Sequence, residues 1–132
     1  MTRFSLSPSI DDVAEMAEAA LREIPEEFRA HVKDVVLRVD EFPDDETLDA
    51  LGLESPFELL GLYRGVDLGR KMTGQLPADV DIIFLYRSPI LDEWIDSSVA
   101  LPDLIRNVLV HEIGHHFGLS DDDMHRIEDE AD

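Results

Sequence analysis

Apolar residues recur at helical spacing from the tenth position onward. Ile10, Val13, Ala17, Ala20, Leu21 and Ile24 form one stripe, which predicts an amphipathic helix from Ser9 or Ile10 to Ile24. Ser9 is placed to cap it, and Asp11 and Asp12 suit the positive end of its dipole. Pro25 opens a short polar helical turn over Glu26–Ala30. The period then changes. Within Val32–Phe42, the β-branched run Val35-Val36-Leu37-Arg38-Val39 predicts a strand ended by Pro43. Asp44–Leu51 reads as a brief helix that Gly52 stops. Leu59–Val66 predicts a second strand, which Gly61 and Gly65 weaken, indicating a bulge or an edge position. After the Gly- and Pro-punctuated stretch Asp67–Asp79, Val80–Tyr86 carries the strongest strand pattern, bounded by Pro77 and Pro89.

Ile90–Ile95 predicts a short helix, broken at Ser97-Ser98. Leu101–Phe117 is the longest apolar segment, with Pro102 suited to its first turn. Leu104, Ile105, Val108, Leu109, Val110, Ile113 and Phe117 surround it nearly on all sides, so this helix belongs in the middle of a domain. Gly118 is its expected left-handed end, and Asp121–Ala131 follows as a last acidic helix. Strands mixed with helices in this order predict an α+β fold, a small mixed sheet covered by the first and the Leu101–Phe117 helices. At 132 residues, 44% of them hydrophobic and with no repeat, the chain is read as a single domain over 1–132.

Charge narrows the partners. With 31 acidic residues against 11 basic, the net charge of -20 argues against nucleic acid and anionic membrane, since each phosphate contact requires Lys or Arg. A peptide partner that is basic or unfolded would be steered toward such a surface, although the same charge also serves plain solubility. Cysteine is absent, so any metal must be held by imidazole and oxygen. Met1–Ile10 lacks the basic and apolar regions of a signal peptide, and no apolar run nears the ~20 residues of a membrane span. A cytoplasmic location is expected; the oligomeric state stays open.

The chemistry concentrates at His111-Glu112-Ile113-Gly114-His115-His116-Phe117-Gly118-Leu119-Ser120-Asp121, an HExxHxxGxxD pattern. On a helix His111 and His115 lie one above the other, where two imidazoles can share a zinc ion. Glu112 then sits beside the metal as a general base. If the helix stops at Gly118, the chain can return Asp121 as third ligand, leaving the fourth position for water. Capping of the last helix is the competing role for Asp121, and His125, Glu128, Asp122 and Asp123 are rivals for the ligand position. Apart from ligation, His125 is either a hydrogen-bond partner of substrate or oxyanion, or a solvent-exposed helix residue. His116 points about 100° away from His115 and cannot share its face. Met124 is either a floor beneath the metal or plain core.

His111–Asp121 resembles the HExxHxxGxxH signature of metzincin peptidases, with Asp in place of the last His. The stretch HEIGHHFGLSDDDM is similar to that of small bacterial zincin-like metallopeptidases. The resemblance is specific over 108–124 and implies a minimal zincin-like fold, a Zn2+ held by His111, His115 and Asp121, and Glu112 as catalytic base. No room remains downstream for a full metzincin C-terminal subdomain. The expected function is therefore zinc-dependent peptide hydrolysis. A substrate strand is expected along Leu59–Val66, near Tyr63 or Arg64, with Val80–Tyr86 as the other choice. Tyr63 and Tyr86 are either oxyanion donors or packing residues. The alternative function is a non-catalytic acidic metal-binding interaction or regulatory domain, and a purely structural zinc is a third reading.

Overall fold

The computed structural model describes residues 7–29, 35–65 and 81–117. Helix α1 (Ile10–Glu23) begins at a reciprocal cap: Ser9 Oγ accepts from the Asp12 amide at 3.0 Å, and the Asp12 carboxylate accepts from the Ser9 amide at 2.9 Å. Its stripe buries Val13, Ala17 and Ala20, with Ile24 just beyond the end, whereas Ile10 remains exposed. Helix α2 (Glu26–Arg29) is a single turn. Strand β1 (Val36–Asp40) leads to helix α3 (Asp45–Leu51), which Asp44 caps by accepting from the Thr47 amide. Gly52 ends α3 at φ 69°, a left-handed conformation in which a Cβ is disfavoured.

A 3-10 turn over Pro56–Glu58 follows, which hydrophobic periodicity does not predict. Its signal was the pattern Ser55-x-x-Glu58: Ser55 Oγ accepts from the Phe57 amide and Glu58 accepts from the Ser55 amide. Strand β2 (Gly61–Arg64) is shorter than Leu59–Val66. Strand β3 (Ile82–Tyr86) runs directly into helix α4 (Arg87–Asp96), so this helix starts earlier than the expected Ile90. Pro89 falls in its first turn, where the missing N–H has no helical partner to lose. Helix α5 (Leu101–Phe117) matches its predicted bounds.

The three strands are ordered β1-β3-β2, with β1 parallel and β2 antiparallel to β3. Alternation along the pleat divides them into two faces. Leu37, Val39, Ile83, Leu85 and Tyr63 turn toward a core completed by α1 and α5, in which Ile105, Leu109, Val110 and Ile113 are fully buried. The α+β expectation and the buried central helix both hold. On the other face Phe84 stacks with Tyr86 at 6.1 Å, and the guanidinium groups of Arg64 and Arg38 lie 5.0 and 5.9 Å from the Phe84 ring centre. Arg87 pins the α4 start, donating to Glu41 at 2.8 Å and to the Pro8 carbonyl at 2.6 Å. Among the described residues no helix is long and apolar enough to cross a membrane.

Candidate functional site

Helix α5 lies against β2 and β3 through a face that carries Val108 and Glu112. This packing needs a bare backbone at one point. A Cβ on Gly61 would lie 2.7 Å from Val108 Cγ1, 3.2 Å from the Phe84 carbonyl oxygen and 3.4 Å from Glu112 Cγ. Gly61 therefore lets the helix close on the strand and sets the depth of Glu112 beside it.

His111 and His115 are exposed on α5, with ring centres 5.8 Å apart and planes at 71°. Glu112 is buried, at 8% exposure, and its Oε1 lies 3.2 Å from His115 Nδ1. Burial pushes the Glu112 carboxyl above its ordinary value. The neighbouring His115, an amide bond from Tyr63 and the charge of His111 act the other way. The Tyr63 donor is explained by strand geometry. The Tyr86 amide donates to the Leu60 carbonyl at 2.9 Å, so Leu60, Leu62 and Arg64 turn their main-chain groups toward β3. Gly61 and Tyr63 turn theirs outward from the edge, where the Tyr63 N–H meets Glu112.

Do these residues suit a metal? Two imidazoles sharing zinc at about 2.0–2.1 Å in tetrahedral geometry have ring centres on the order of 5 Å apart. The observed 5.8 Å is within side-chain rotation of that arrangement. With Nδ1 of His115 toward Glu112, its Nε2 is the nitrogen left to face a cation. The pair therefore fits two corners of such a site. Among the described residues no group of three or more His, Cys, Asp or Glu is arranged to hold a metal. Asp121, its rivals Asp122, Asp123, His125 and Glu128, and Met124 lie outside the described residues, as does the His116 side chain.

A cleft of about 320 Å³ opens beside the pair, between Leu59-Leu60-Gly61 on one wall and Asn107, Val108, His111 and Glu112 on the other. Neither candidate tyrosine lines it. The Tyr63 ring packs on the core and its hydroxyl bonds to Asp81, while Tyr86 is buried in the Phe84 stack on the opposite face. Arg64 likewise lies over Phe84 rather than in the cleft. As the central strand, β3 has both sides paired and offers no edge, which leaves β2 of the two strands considered. Sequence reasoning missed Asn107 and the Tyr63 amide. Asn107 is signalled by its position one turn before His111; the amide has no side-chain signal at all.

The model of the zincin-like metallopeptidase family matches residues 32–131, and the chain belongs to that family. Membership implies a metal and a peptide substrate, and the α+β arrangement agrees with a zincin-like fold. No curated protein matches the chain.

Proposed function

We propose that this protein is a zinc-dependent peptidase in which His111, His115 and Asp121 hold the metal and Glu112 is the general base. One observation carries the reading: a buried carboxylate stands between two exposed imidazoles and the outward edge of a strand. When bound, the metal polarises the substrate carbonyl and makes water more acidic, toward a pKa of about 7. An extended peptide adds to the β2 edge through the outward-facing main-chain groups of Gly61. Glu112 takes a proton from the attacking water, whose oxygen bonds to the carbonyl carbon. The C–N bond then breaks, and the proton held at Glu112 passes to the leaving nitrogen; the second proton of the water moves from the new carboxyl group to the amine, giving one carboxylate and one ammonium.

The burial that raises the Glu112 carboxyl makes it a stronger base toward the attacking water in the first half of this cycle. Glu112→Gln is expected to bind one equivalent of zinc yet hydrolyse a mixed unfolded-peptide library about 10²–10⁴-fold more slowly. Metal content by mass spectrometry and product formation are the readouts. Hydrolysis at the unsubstituted rate in that variant would falsify the assignment. His111→Ala and His115→Ala are each expected to lose stoichiometric zinc; retention of one equivalent in both would remove these residues from the ligand set.

A further inference from the structure

The walls of the cleft differ in chemistry. Leu59, Leu60, Gly61 and Val108 are apolar, and beside His111 and Glu112 the described lining residues include one carboxamide, that of Asn107. Among the described lining residues Glu112 is the only carboxylate. Asn107 is half-buried in the middle of α5, where asparagine is a weak helix former. Its side chain makes no hydrogen bond among the described residues. A carboxamide offers two donors and one acceptor, and at half burial these are open to a ligand group that replaces water. Asn107 also lies one turn before His111, so its tip and the imidazole share one side of the helix.

We propose that Asn107 determines the side-chain specificity of this cleft, selecting an uncharged substrate residue whose side chain ends in a hydrogen-bonding group. The inference rests on the peptidase reading above. A peptide laid along β2 turns alternate side chains down toward α5. The one that enters beside Glu112 meets the apolar wall along its stem and the Asn107 carboxamide at its tip. Gln, Asn, Ser, Thr and Tyr satisfy both. Among the described lining residues Lys and Arg find no carboxylate at that end of the cleft, and Leu or Phe offers the carboxamide no partner. A cleft of about 320 Å³ is at the small end of ligand pockets, which suits one side chain rather than several.

The test separates binding from turnover. Zinc-loaded Glu112→Gln protein serves as a trap for a randomised library of N-acetylated, C-amidated hexapeptides, and the retained peptides are sequenced. The same library is passed over Asn107→Leu and Asn107→Asp, each in that background. The parent is expected to enrich neutral hydrogen-bonding residues at one position. Asn107→Leu should shift that position toward Leu, Met and Phe, and Asn107→Asp toward Lys and Arg, each by about tenfold or more. Asn107→Asp is nearly isosteric, so it reports even if the leucine variant folds poorly. Identical residue preferences in all three proteins, or no retention by any, overturn the proposal. Loss of zinc from the trap, or continued hydrolysis by it, instead overturns the peptidase reading on which it rests.

Discussion

Glu112 and the two tyrosines illustrate how one low-polarity interior sets the acidity of each group according to what it faces. Burial raises the Glu112 carboxyl, at 8% exposure, while the adjacent imidazoles and the Tyr63 amide act in the opposite direction. Tyr63 has no such compensation, and Tyr86 has only the charge of Arg64. Burial and nearby carboxylates push both phenols up to about 12, Asp81 acting on Tyr63 and Asp40 on Tyr86. Their contribution to stability is complete below the ordinary phenol value near 10 and is lost as pH rises from there through about 12. Unfolding temperatures between about pH 9 and 12 should therefore fall less steeply for Tyr86→Phe than for the parent. Equal slopes would mean that Tyr86 ionises as freely in the folded chain as in the unfolded one. At this scale His111, Glu112 and His115 were legible because helical spacing alone fixes their relation. The Tyr63 amide and the Asp81 bond were not, since tertiary packing creates them.

Elements contribute through one tight contact and one deep one. Gly61 on β2 meets Val108 on α5, and Gly61→Ala forces a methyl group to within 2.7 Å of Val108 Cγ1. Overpacking of this kind destabilises by about 1–3 kcal/mol. Adding Val108→Ala removes that methyl collision, though not the 3.2 Å approach to the Phe84 carbonyl, and should restore part of the loss. Urea denaturation of the two single variants and the double variant measures the coupling; strict additivity would mean that the strand and helix do not touch there. Leu109, fully buried at the centre of α5, should lose about 2–5 kcal/mol on truncation to alanine. Periodicity disclosed α1 and α5 to within a residue at each end because each presents a sustained pattern and recognisable stops. Strand β2 and the start of α4 were less legible. Four residues hold too few alternations to fix an end, and Pro89 reads as a boundary when it is in fact a first-turn residue.

The whole molecule combines a net charge of -20 with a small three-stranded sheet. Repulsion among surface carboxylates opposes the compact state, so raising sodium chloride from roughly 20 to 300 mM should raise the unfolding temperature. A decrease would mean that attractive ion pairs such as Arg87–Glu41 outweigh the repulsion. The mixed sheet was legible as a class, but its β1-β3-β2 order was not, because pairing of distant strands leaves no local mark. That order leaves β2 at the margin of the sheet among the described residues, and an uncovered strand margin is a template on which a second chain can assemble. Here the Glu112 carboxylate acts as a stopper, since it occupies the outward N–H of Tyr63. Glu112→Ala would uncover that donor and should self-associate in sedimentation at high concentration. Glu112→Gln, which still presents an oxygen to the amide, should sediment like the parent.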